Sequence, residues 1–224
     1  SLFGLVPAAL AGVDVRRVLA GARVSVGECR EWGGGGQRSA RLGALMAGGV
    51  EVGRDKLTVL APEEFEPFGA WAEQLVAEST GKGGRGVLPV IGEPPQTAVY
   101  GADRSFVALL PTGDAAQPLE RRLSALSKAG YPALALALDP ASGLGAAFFE
   151  WEVATALCGA WLGLNPFDQP NVAESKANTD RVLARLAAGG APAAAVGADA
   201  DLAGRFRAWL ASFRAGDYAA VLAY

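Results

Sequence analysis

Histidine is missing from all 224 residues. That absence excludes a Ser-His-Asp triad, a Cys-His pair or a His-bearing zinc site built within this chain. Acid–base chemistry must then come from Glu, Asp, Lys, Tyr or Arg, or from a segment outside the sequence. Cysteine is nearly missing too: Cys29 and Cys158 lie far apart, and no disulfide framework follows from them. Cys158 sits in an apolar helical run and reads as a small buried hydrophobe, which fits a reducing cytoplasm. No run of about 18 uninterrupted apolar residues occurs, so no membrane span is expected. The N-terminus lacks the charged-then-apolar layout of a secretory signal. Nor is there a basic block. With 20 Lys and Arg against 23 Asp and Glu, the net charge is −3, and generic nucleic-acid binding is not expected.

What remains is the composition of a globular domain, 51% hydrophobic and 19% charged, long enough to bury a sizeable core. The segment Ser1–Asp14 has no capping signal and reads like the middle of a protein. Asp14 can cap a helix over Val15–Ala22. Gly33–Gly36 reads as a flexible loop before a small-residue helix near Ser39–Gly48, with Leu42, Leu45 and Met46 on one face. From residue 55 the pattern alternates. Lys56–Leu60, Gly86–Ile91, Ser105–Leu110 and Tyr131–Leu138 are strand-like. Between and after them, helices are predicted over Glu63–Glu78, Pro118–Ala129, Phe148–Leu164 and Val172–Ala188.

Strands apolar along their whole length, alternating with helices, predict a mainly parallel sheet covered on both faces. The expected layout is a helical flank over residues 1–50, an α/β domain over 51–190, and a C-terminal helix and strand over 191–224. The last segment, Tyr218–Tyr224, reads as a strand with more chain expected after it. Ligands of such sheets bind outside the carboxyl ends of the strands. The 76–86 and 165–171 loops are the expected site.

The run Glu73–Gly86 draws attention. A carboxylate, Glu78, ends a helix, and Ser79, Thr80, Gly81 and Lys82 follow at once. Glycines let a backbone approach a ligand, and hydroxyls and N–H groups can hold oxygens. The plainer reading is a helix C-cap, with Gly81 left-handed and Glu78 solvated. Asp168 can be a helix cap, Gln169 a loop residue and Lys176 a solvated helical lysine. Glu150, in an apolar run, reads either as a surface charge or as a buried hydrogen-bonding group.

Taken together, several stretches resemble one family. They are Arg54–Thr58, Phe68–Lys82 with its Glu-Ser-Thr-Gly-Lys, Tyr100–Arg104, and Asn165-Pro166-Phe167-Asp168-Gln169-Pro170-Asn171-Val172 with Lys176. The family is glucose-6-phosphate isomerase, and in particular the isomerase part of bacterial bifunctional transaldolase/glucose-6-phosphate isomerase proteins. The resemblance implies a sugar isomerase (SIS) fold, three layers around a five-stranded, mainly parallel sheet. It implies interconversion of glucose 6-phosphate and fructose 6-phosphate with no metal or organic cofactor. Glu78 falls on the family's base, and Gln169 and Lys176 on its glutamine and lysine. Ser79, Thr80, Gly81 and Lys82 are expected to bind substrate. The family's phosphate cradle belongs to a preceding SIS subdomain, and its catalytic histidine has no counterpart here. The resemblance therefore implies the second SIS subdomain, with a sugar phosphate, a preceding subdomain and a homodimer partner as its partners, and little activity in this chain by itself. A catalytically silent sugar-phosphate-binding or assembly module is the alternative.

Overall fold

The computed structural model describes residues 2–31, 34–94, 100–138, 143–190, 201–214 and 217. The chain divides into two compact units, residues 1–169 and residues 170–224.

The first unit is built on a parallel sheet of four strands in the order β2-β1-β3-β4. The strands are β1 (Lys56–Leu60), β2 (Leu88–Val90), β3 (Arg104–Leu110) and β4 (Ala133–Ala137). The expected parallel sheet is present, but with four strands rather than five among the described residues. The predicted strand Tyr218–Tyr224 lies outside the described residues. Pro89 sits in β2 at the sheet edge, where its missing N–H costs no ladder bond. β1 and β3 run through the middle, and Leu57–Leu60 and Ser105–Leu109 are buried. That explains why they read as unbroken apolar runs rather than alternating ones.

The pleat sorts these residues between two cores. Leu57, Val59, Val107, Leu109, Leu134 and Leu136 face α3 (Gly34–Glu51), α4 (Glu66–Thr80) and α6 (Leu144–Leu162). Leu60, Phe106 and Ala108 face α5 (Gln117–Lys128) through Leu123 and Leu126. Register supports the sorting, since Val59 pairs with Val107 and Val107 with Leu134, a row of side chains on one face. The helix α2 (Val15–Arg30) lies outside α3 and α6 and begins at the Asp14 cap, whose carboxylate accepts from the N–H groups of Arg16 and Arg17. A further helix, α1 (Leu2–Leu10), precedes it and buries no residue.

Residues before 51 are thus not all peripheral. Leu42, Met46 and Ala47 of α3 belong to the main core. Gly34–Gly36 are not loop either, because they form the first turn of α3, while Gly33 lies outside the described residues. Each glycine costs a helix about 1 kcal/mol relative to alanine. Packing of the rest of α3 overrides that preference.

Two helices, α4 and α6, carry the segments of the expected site. α4 follows the carboxyl end of β1 and runs back, with Phe68, Ala72, Val76 and Thr80 on its buried stripe. Pro67 in its first turn is compatible with the helix because those N–H groups have no partner there. α6 is apolar almost all round, as befits a helix packed between α2, α3 and α4. An aromatic cluster locks α4 to α6: Phe68 to Phe148 at 5.5 Å, Phe68 to Trp151 at 5.9 Å and Trp71 to Phe148 at 4.5 Å between ring centroids. Pairs at such separations add about 0.5–1.5 kcal/mol each beyond their buried area. In the second unit, α7 (Pro170–Ala187) and α8 (Leu202–Ala211) are described, and on α8 Phe206 and Trp209 lie 5.5 Å apart.

Candidate active site

Because α4 and α6 both return from the carboxyl edge of the sheet, their C-terminal ends arrive at the amino edge. The segment after α4 feeds the start of β2, where the Leu88 N–H donates to the Asp55 carbonyl at 2.8 Å, just before β1. The 76–86 and 165–169 segments therefore share one edge, but it is the amino edge. This corrects the expectation of the carboxyl edge, which holds for loops leaving strands, whereas these segments leave helices. The carboxyl edge carries a separate cavity of about 970 Å³, bordered by Leu60, Ile91 and Arg122 among others. None of the predicted site residues lines it.

At the amino edge, α6 stops at Gly163, which takes the left-handed conformation (φ 69°, ψ 27°). The Gly163 N–H donates to Ala160 and the Leu164 N–H to Gly159, the paired bonds of a Schellman end. Asn165 then turns the chain, its side-chain oxygen accepting from the Phe167 N–H at 3.1 Å. This brings Gln169 onto α4. Its Nε2 donates to the Glu78 Oε1 at 2.9 Å.

A pocket of about 290 Å³ opens around that hydrogen bond, lined by Trp71, Gln74, Glu78, Ser79, Pro166–Gln169 and Leu75. Gln74 lies one helical turn before Glu78, on the same face. It was missed in the sequence, although the spacing of four from Glu78 was the signal that could have found it. Both Glu78 and Gln169 are exposed in this chain. The lining holds two carboxylates, Glu78 and Asp168, and no Lys or Arg.

The other predicted residues divide. Ser79 lines the pocket. Thr80 does not: its side chain is fully buried on the core side of α4. Its Oγ1 donates to the Val76 carbonyl at 2.7 Å and accepts from the Val87 N–H at 2.9 Å, tying the helix end to the start of β2. The substrate-binding part expected of this hydroxyl is corrected by that geometry, because both its hydrogen-bonding directions are used inside the fold. Gly81 is not left-handed (φ −72°, ψ 73°). The left-handed positions come later. Gly83 (φ 60°) and Gly84 (φ 75°) form the tip of a tight hairpin in which Lys82 and Arg85 exchange both backbone bonds. Successive positive φ values at the tip favour glycine, with Asn or Asp the other residues that tolerate them.

Lys82 turns back from that hairpin. Its Nζ donates to the Asn165 carbonyl at 2.5 Å, the Asp168 carbonyl at 2.6 Å and the Asp168 Oδ1 at 2.7 Å. Asp168 is thus engaged by Lys82 as well as standing two residues before α7. Arg85 pairs with Glu51 at the end of α3. Lys176 is exposed on α7, in the second unit. Among the described residues no group of His, Cys, Asp and Glu is arranged to hold a metal ion, and no helix is long and apolar enough to cross a membrane.

Comparison with known proteins supplies the context. No family model matches the chain. A glucose-6-phosphate isomerase of Rubrobacter xylanophilus is 31% identical over 213 residues, covering 77% of this chain and 49% of that protein. A probable glucose-6-phosphate isomerase of Natronomonas pharaonis is 30% identical over 217 residues, covering 77% of this chain and 48% of that protein. The chain spans about half the length of the curated relatives it matches. Among solved structures, a hypothetical protein from Thermus thermophilus aligns with a TM-score of 0.67 at 23% identity, over 82% of this chain and 54% of that one. That likeness concerns the fold.

Proposed function

We propose that this chain carries the base-bearing portion of a glucose-6-phosphate isomerase, with Glu78 as the group that moves the proton. The observation that carries the reading is the direct hydrogen bond from Gln169 to Glu78 in one pocket. Two motifs 91 positions apart meet there, and the named isomerases match across most of the chain.

The chemistry follows from the residue types. In aldose–ketose interconversion the base takes the proton from C2 of open-chain glucose 6-phosphate. An enediolate results; the O2 hydroxyl proton passes to O1, and the carboxyl group, its proton partly exchanged with water, protonates C1 to give fructose 6-phosphate. A carboxylate can serve both steps if it faces both carbons. The Gln169 amide, freed from Glu78 by the arriving sugar, is placed to donate to the developing oxyanion. Gln74 and Ser79 offer further polar contacts to sugar hydroxyls. In this reading Lys176 adds a cation for ring opening or substrate contact.

The lining residues bear on where a phosphate could sit. A phosphate dianion would meet two carboxylates and no cation among its lining residues. The phosphate is therefore assigned to a cradle outside this pocket, supplied by a preceding SIS subdomain of the parent protein. Covering of the exposed Glu78 by that part excludes water, as such a base requires. The narrower placement, in a cytoplasmic bifunctional transaldolase/glucose-6-phosphate isomerase, rests on the run of motifs in the sequence. A silent sugar-phosphate-binding module is the second reading, favoured by the absence of histidine and the open pocket.

The test uses the complete parent enzyme. Glu78→Gln keeps the shape of the side chain but cannot accept a carbon-bound proton. Exchange of the C2 proton of open-chain substrate in deuterated water should slow by about 10²–10⁴-fold, the usual contribution of a general base. Sugar-phosphate affinity should change far less. Exchange as fast as in the unaltered enzyme would remove Glu78 from the mechanism and leave the silent module.

A further inference from the structure

We infer that Lys82 is a positioning residue, the staple that holds the 165–169 loop so that Gln169 meets Glu78, and not a ligand of the substrate. The inference rests on the reading of Glu78 and Gln169 given above, and it reassigns the lysine of the Glu-Ser-Thr-Gly-Lys run.

The geometry is specific. A lysine ammonium has three donors and no acceptor. All three are committed, to the Asn165 carbonyl at 2.5 Å, the Asp168 carbonyl at 2.6 Å and the Asp168 Oδ1 at 2.7 Å. The side chain is only 8% exposed, whereas its partner Asp168 is 51% exposed. Lysine is rarely so enclosed unless it is paired. The 2.7 Å contact to the Asp168 carboxylate is that of a charge-assisted bond. Any contact from this ammonium to a sugar would cost it one of those three.

The partners also bracket the loop. Asn165 opens it and Asp168 immediately precedes Gln169. The lysine in turn is fixed by the hairpin that follows α4, through the Lys82–Arg85 backbone pair. Lys82 and Glu78 are thus carried by the same helix end, four residues apart. A rigid link from α4 to both ends of the loop sets where Gln169 can reach. Without it, the loop keeps its Schellman start at Gly163 and the Asn165 turn, but the Gln169–Glu78 bond is left to hold it to α4 unsupported.

The test is made on the 224-residue chain by NMR, since it reads a contact inside the chain and requires no turnover. Lys82→Met keeps the stem and removes the ammonium. The side-chain amide signals of Gln169 should move to the positions they take in Glu78→Ala, where the acceptor is gone. Backbone amides of Phe167, Asp168 and Gln169 should exchange at least about tenfold faster, while those of β1 and β3 stay protected. Lys82→Arg, which restores a cationic donor, should recover part of both signatures. Should Lys82→Met fail to fold, Asp168→Ala removes one of the three acceptors and should speed the same loop amides severalfold. An unmoved Gln169 amide in folded Lys82→Met, or loop exchange unaltered in Asp168→Ala, would overturn the inference. Either outcome is independent of the deuterium-exchange test of Glu78, so the staple and the isomerase reading can fail separately.

Discussion

The ion pair between Arg38 and Glu150 joins α3 to α6, the helix that delivers the Gln169 loop, and its removal should be costly and asymmetric. Glu150 accepts three bonds: Arg38 Nε at 2.9 Å, Arg38 Nη2 at 2.6 Å and the Ser25 hydroxyl at 2.8 Å. Its side chain is 13% exposed, Arg38 is 39% exposed, and Ser25 is 1% exposed. The carboxylate is the main cause of the raised Arg38 pKa, partly offset by burial. Glu150→Ala lets Arg38 turn towards water and Glu28, but strands the Ser25 hydroxyl. Hydrogen bonds to charged groups are worth about 1.5–3 kcal/mol, and an unpaired buried hydroxyl costs about 1–3 kcal/mol. Taking the low end for the half-solvated arginine gives about 3 kcal/mol.

Arg38→Ala is the harsher change, because it leaves a buried carboxylate with one hydroxyl donor. Loss of one partner from a buried pair costs about 3–5 kcal/mol. Replacing both, as Arg38→Met with Glu150→Leu, should cost less than the two single changes summed, by about 2 kcal/mol of coupling. Urea unfolding of the chain would measure this, followed by fluorescence, since Trp151 is buried beside Glu150. A loss of about 3 kcal/mol lowers the midpoint by roughly 1–2 M for a slope of about 2 kcal/mol per molar. Single variants within about 0.5 kcal/mol of the parent, or a double variant equal to their sum, would refute the account, and the pair would rank with ordinary surface ion pairs.

Two further outcomes concern buried groups. Thr80→Val keeps the shape of the side chain but leaves the Val87 N–H without its partner, so it should cost about 1–3 kcal/mol in urea unfolding while Thr80→Ser costs less; equal stability in Thr80→Val would show the hydroxyl to be dispensable. Burial raises the Cys158 thiol to about 12, so a thiol reagent near pH 8 should modify half-buried Cys29 well before Cys158. The folded value lies above the unfolded one, so the protonated thiol favours the fold, and this contribution is lost as pH rises from about 9 to 12. Equal labelling rates for the two thiols would contradict that burial.

The sequence by itself determined the parallel α/β architecture and most elements. β1 and β3 were legible because burial on both faces leaves unbroken apolar runs, and α5 because Leu119, Leu123 and Leu126 repeat at helical spacing. Glu150 was legible only as either a surface charge or a buried hydrogen-bonding group, and folding made it a largely buried acceptor. Tertiary structure alone decided the rest. It set the edge of the sheet, because that depends on the return direction of α4 and α6. It turned Gly34–Gly36 into helix, because packing of α3 outweighs local glycine preference. It separated the neighbours Ser79 and Thr80, one at the pocket and one in the core, because successive helical residues lie about 100° apart around the axis. It also gave Lys82 its three acceptors more than 80 positions away in the chain. A motif fixes which groups are present, but where their donors point depends on segments brought together only by folding.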